Sequence, residues 1–288
     1  MKNYFYFTTF YVTIFVLLFS FKFKKMSAII ILKNTLSLAT INNGELVSFI
    51  VNNKEFMHSK EAPGWNASDT EMFPIIGPTK NNDYTINTTN GIAKQDQHGL
   101  LRELSYQLIS KNNTTVIFEK KYVKNTLVKN AKFSHKSTQE FLFWPYDFTF
   151  RKIISLTDTS IKIDFEITSD KGMPYMFGYH PSFKLSGLGT EIIKTEEEKI
   201  TLNSILNVGS AAYKVLNIDE IILIKNNTPS LKINTKNFNN FMLWTEVNNM
   251  LCIEPITQYP LLKTQKYSEK NMRISTGKEL FSVTISSL

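Results

Sequence analysis

The chain has 288 residues, a formal net charge of +8 and 42% hydrophobic content, long enough for a large core and unlike disordered or fibrous compositions. Net positive charge raises nucleic acid or an anionic membrane as partners. Half of it, however, is Lys2, Lys22, Lys24 and Lys25, and the remaining lysines are scattered among Asn, Thr and Glu, the pattern of a solvated surface rather than a nucleic-acid footprint.

The first element is "YFYFTTFYVTIFVLLFSF", residues 4–21, followed by "KFKK". It is apolar enough to span a bilayer, with the basic flank keeping the downstream chain on the cytoplasmic side. A cleaved signal would show a small-residue cleavage site, which this stretch lacks. A third reading starts translation at Met26, where "MSAIIILKNTLSLATI" opens like the first strand of a soluble domain. All three put residues 1–25 outside the fold and expect one domain over 26–288. The expected location is the cytoplasm, and a membrane partner enters only if 1–25 is an anchor.

Period-two alternation dominates from there. "ELVSFIV" (45–51) reads as a strand, and "YQLIS" with "TTVIFEKKYV" as a hairpin around Asn112 and Asn113. "FTFRKIISL" and "SIKIDFEIT" pair through the turn "TDTS", the second presenting Ile161, Ile163, Phe165 and Ile167 on one face. Further strands are expected at "EKITLNS", "IILIKN", "LKINTK", "FMLWTE" and "MLCIEPI", with a last hairpin, "MRIST" to "ELFSVTISSL", turning at Gly277-Lys278. No stretch carries a long helical period with caps. The expectation is all-β: a large antiparallel β-sandwich with little helix, two curved sheets forming a groove that suits a sugar.

Three stretches break the alternation with polar residues. "QDQHGLL" carries His98, "MFGYHPSFKL" carries His180 between Tyr179 and Pro181, and "MLCIEPITQYP" carries Glu254 before Pro255. The proline is expected to stop that strand. A carboxylate at the end of an apolar strand costs several kcal/mol if buried unpaired, so it should be exposed, paired or functional. Singly, each has a structural reading: a turn histidine bonded to backbone, an imidazole packed on Tyr179, a solvent-facing glutamate. Together, two imidazoles and a carboxylate make an acid/base set. The single cysteine, Cys252, excludes an intrachain disulfide and a cysteine-only metal cage.

In order along the chain, "MFPIIGPTK", "QHGLLRE", "FGYHPSF", "DEIILIK", "MLWTE" and "CIEP" resemble the aldose 1-epimerase (mutarotase) family, in particular its LacX-type branch, over essentially all of Met26 to the C-terminus. The resemblance implies a two-sheet galactose mutarotase-like supersandwich. It implies that His98 binds the sugar, that His180 is the general acid and that Glu254 is the general base. Asp219, or Glu220 beside it, matches an acidic residue that bonds sugar hydroxyls, and Arg102 matches the arginine of the histidine-glycine segment. Relatives commonly carry arginine directly after the glycine of the "FPIxG" segment; here that residue is Pro78, with Lys80 two positions on as the nearest cation, a point charge rather than a planar fork. Trp244, Trp65 and Tyr179 are candidates to stack on a sugar ring or to pack structurally.

Anomer exchange needs one proton removed from the C1 hydroxyl and one delivered to the ring oxygen, with neither metal nor other cofactor, so a small-molecule sugar is the expected partner. A hexose-6-phosphate 1-epimerase would use the same pair with Lys80 and Arg102 near the phosphate. A non-catalytic carbohydrate-binding module would account for Pro78. A glycosidase would want a second facing carboxylate. The sequence leaves the oligomeric state open.

Overall fold

The structure is a computed structural model that describes residues 29–226, 228–261 and 266–288. The apolar segment over 1–25 therefore lies outside the described residues. Among the described residues no helix is long and apolar enough to cross a membrane.

Alternation does what it should. The strand Ser160–Ser169 buries Ile161, Ile163, Phe165 and Ile167 and turns its other side chains outward. Phe148–Leu156 pairs with it antiparallel on one side and Lys278–Ser287 on the other. These are the centre of a nine-stranded sheet. Its order is Lys199–Thr201, Ile192–Lys194, Glu220–Lys225, Thr228–Lys236, Lys278–Ser287, Ser160–Ser169, Phe148–Leu156, Thr115–Tyr122, Gln107–Lys111.

A six-stranded sheet runs Tyr213–Leu216, Asn240–Trp244, Met250–Ile256, Gly178–Tyr179, Glu71–Met72, with Ser182–Lys184 also pairing on Met250–Ile256. The two sheets meet through aromatic rings. Phe177 lies 5.1 Å from Phe165, 5.5 Å from Phe150 and 5.0 Å from Phe281, ring centre to ring centre. A four-stranded sheet begins at Ile29–Lys33, and one α-helix, Leu202–Val208, is present among the described residues. The molecule is an all-β antiparallel sandwich with little helix, as the alternation implied.

Three local expectations are corrected. "EKITLNS" is a strand only over Lys199–Thr201. Thr201 then caps the helix by accepting the Ser204 N–H at 3.1 Å, and Leu202 and Ile205 bury one face three residues apart. The hairpin at Gly277-Lys278 does not form. Arg273–Ile274 pairs with Pro174–Tyr175, and Ser275 exchanges backbone bonds with Met173 and Gly172. The chain thus leaves one partner and joins another, where a hairpin would fold it back on itself.

The third concerns Pro255. The strand Met250–Ile256 runs through it with all seven residues buried, and Pro255 stands opposite Phe241. Thr257 donates its N–H toward Phe177, on the His180 side of the strand. Alternation puts the missing N–H of Pro255 on that same side. There the pairings Gly178–Ile256 and Ser182–Cys252 leave residues 253–255 without a ladder partner. Proline is tolerated because the seam is already open at that point.

Candidate active site

That open seam positions the candidate acid/base pair. The pairings on either side of it, Gly178–Ile256 and Ser182–Cys252, put His180 directly across from Glu254. Proline follows each of them, Pro181 and Pro255, so neither following residue can donate a bond to close the gap. His180 Nε2 lies 3.3 Å from Glu254 Oε1, and both side chains are buried. Burial, followed by the charge of Arg102, drives the His180 imidazole down to about 3. Burial pushes the Glu254 carboxyl well above its ordinary range. Burial thus favours one proton on the pair, on the carboxyl rather than the ring. His180 Nδ1 is buried without a hydrogen-bond partner.

His98 reaches the same place from another segment. Its ring centre is 5.4 Å from that of His180. The turn that carries it interlocks with "FPIIG": His98 donates its N–H to Ile76 O at 2.9 Å and accepts from Phe73 N at 3.2 Å. Gly99, at φ +71°, has Phe73 O where a Cβ would stand, and a Cβ on Gly77 would lie 2.6 Å from Gln97 Cα. Each glycine is therefore required for this contact. His98 itself has φ +75°, an uncommon backbone conformation of the kind found at functional sites.

Arg102, on the 3-10 turn Leu100–Glu103, brings Nη1 to 2.9 Å from His98 Nδ1. A guanidinium only donates, so Nδ1 accepts and the ring proton is assigned to Nε2. Burial, then the neighbouring His180, Arg102 and Lys132, holds His98 well below the ordinary imidazole range. His98 is thus a neutral, oriented N–H donor.

Two indoles flank His180: Trp65 at 4.3 Å and Trp244 at 6.3 Å between ring centres. Tyr179 does not join them. Alternation turns it to the core, 5.1 Å from Phe165, where its hydroxyl donates to Asp69 Oδ2 at 2.7 Å. Asp219 is exposed and lines a separate cleft with Glu220, Lys194 and Thr195, one that His98, His180 and Glu254 do not reach. Lys80 is exposed on the turn Lys80–Asn82, and Pro78 is exposed beside it.

Beneath the site is a buried ion cluster that the sequence reading missed. Lys152 Nζ bonds Asp69 Oδ2 at 2.7 Å and Glu71 Oε1 at 2.8 Å. Lys120 Nζ lies 3.6 Å from Glu71 Oε2 and donates to Leu101 O at 2.9 Å. Burial raises the Asp69 carboxyl to about 6. Burial also opposes the Glu71 charge, but Lys152 and Lys120 outweigh it and hold that carboxyl low. Between the two acids, Thr70 exchanges both backbone bonds with His180, at 2.9 and 3.2 Å. One lysine therefore anchors the segment that clamps His180, and the other the turn that carries Arg102. The signal was present: Lys152 and Lys120 occupy inward positions of their strands, in register with Phe150 and Ile154, and with Phe118 and Tyr122.

A two-sheet sandwich thus brings two imidazoles and a carboxylate together beside two indoles, and similarity to known proteins supplies the family. Residues 32–221 match the family described as Aldose 1-epimerase, and the chain belongs to it. Protein LacX of Lactococcus lactis subsp. lactis is 26% identical over 138 residues, 45% of this chain and 40% of LacX. The matched region thus spans well under two thirds of that relative. A galactose mutarotase-like protein from Lactobacillus casei superposes with a TM-score of 0.73 over 91% of this chain and all of its own, at 16% identity. A putative aldose 1-epimerase from Escherichia coli K12 gives 0.64 over 91% and 99% at 10% identity. At such identities the superpositions speak for the fold.

Proposed function

We propose that the protein is an aldose 1-epimerase of the LacX-type branch, interconverting the α and β anomers of an aldohexose. The observation that carries this reading is the meeting of His98, His180 and Glu254 from three segments at one opened seam. The pair holds one proton. A bound sugar's hydroxyls supply the hydrogen bonds that burial takes from Glu254, which favours the carboxylate with imidazolium opposite. Glu254 then takes the C1 hydroxyl proton while His180 delivers its own to the ring oxygen, breaking the C1–O5 bond. The C1–C2 bond rotates, and closure on the other face returns both protons. His98 Nε2–H polarises a sugar oxygen, Arg102 fixes its tautomer, and Trp65 and Trp244 wall the ring. Asp219 and Lys80 take no part.

The test is polarimetry with the full chain, following fresh α-glucose and α-galactose to equilibrium. Faster relaxation is expected, reduced by about 10²–10⁴-fold in Glu254→Gln and in His180→Asn. Acceleration only with glucose 6-phosphate would replace this reading by a hexose-6-phosphate epimerase. Sugar binding without acceleration of any anomer would replace it by a binding module.

A further inference from the structure

Cys252 stands on the same face of its strand as Glu254, two residues before it, and across the seam from Ser182. One nitrogen of His180, the Cys252 sulfur and one oxygen of Glu254 all lie within 4.8 Å of one another, and all three residues are buried. The acid/base chemistry uses the imidazole and the carboxylate and has no role for the sulfur.

Imidazole, thiol and carboxylate are the ligand types that bind zinc-like ions, and three of them with an open fourth position form a common zinc arrangement. Thiolate plus carboxylate balances a divalent charge, so the buried site would be neutral once filled. Around a tetrahedral zinc, ligand atoms stand roughly 3.3–3.8 Å apart, so the three donors need to close by about 1 Å, within the reach of a glutamate rotamer.

We propose that His180, Cys252 and Glu254 form a binding site for a thiophilic divalent cation of the zinc type, whose occupancy blocks the acid/base pair. Binding forms metal–nitrogen, metal–sulfur and metal–oxygen bonds. It releases the thiol proton and the proton of the Glu254 carboxyl to solvent, with no change of oxidation state. Magnesium and calcium, which prefer oxygen ligands, are not expected to compete.

The test uses cobalt(II) on the full chain. A thiolate–cobalt bond gives a near-ultraviolet charge-transfer band, and the chain has one cysteine, so any such band reports Cys252. Expected is a band that saturates at one cobalt per chain, is displaced by zinc and is absent from both Cys252→Ala and His180→Asn. No band in the wild type, or a band unchanged in His180→Asn, overturns the site. The second arm rests on the proposed epimerase activity. Zinc should abolish acceleration and a chelator restore it, while Cys252→Ala remains active and needs at least about tenfold more zinc for inhibition. Equal zinc sensitivity in Cys252→Ala overturns the blocking role. The two readings fail separately: a cobalt band without sugar chemistry removes the epimerase assignment and leaves the metal site standing, and acceleration without a band does the reverse.

Discussion

Arg102 acts on the site through its neighbours. Its guanidinium at 2.9 Å makes His98 Nδ1 an acceptor and its charge, added to burial, lowers both imidazoles. These shifts set the sign of the pH dependence. A competent free enzyme needs neutral His98 and a single proton on the His180–Glu254 pair. Lowering the pH adds unwanted protons only far below the ordinary imidazole value of 6.5, with His180 at about 3. Raising it removes the pair's proton through the raised Glu254 carboxyl. A profile of kcat/KM should therefore show no acid limb in the usual histidine range and fall on the alkaline side. In Arg102→Met an acid limb should move up toward that range, because a cation that opposed protonation has gone. An acid limb near 6.5 in the wild type would contradict this account.

Among the elements, the segment 69–71 is set by its lysine. Replacing Lys152 by Met leaves Asp69 and Glu71 buried beside a methionine, with Lys120 near Glu71 and Tyr179 on Asp69. Removing one partner of a buried ion pair typically costs about 3–5 kcal/mol, readable as a fall in the urea midpoint. The variant molecules that remain folded should also show a reduced kcat, since Thr70 no longer fixes the His180 backbone. Elements of this kind mark where sequence reading stops. A strand such as Ser160–Ser169 was legible because alternation with burial is a local pattern. Lys152 broke that pattern inside "FTFRKIISL" and was passed over, since its partners lie more than 80 positions away. Helix Leu202–Val208 was hidden because seven residues give barely two turns of period.

For the whole molecule, the sandwich was legible because most of its strands alternate, while the order of the nine strands was not, since pairing between distant segments leaves no local trace. His98, His180 and Glu254 could be singled out in sequence as polar breaks in apolar runs. Asp219 could not be judged the same way: its motif position suited a sugar ligand, yet the chain carries it to another cleft. The difference is that the first three sit where segments converge on the seam.

That seam joins two kinds of backbone. Glu254 rides a strand buried along its whole length and paired with Asn240–Trp244, whereas His98 hangs on a short turn tied to residues 73–76 by a few amide bonds. Their lifetimes against opening should differ accordingly. In native-state hydrogen exchange, amides of 250–256 should be among the last to exchange, at rates set by global unfolding, and those of 97–103 should exchange through local openings. One half of the proposed catalytic apparatus would then be as permanent as the fold itself, while the other is renewed on a far shorter clock.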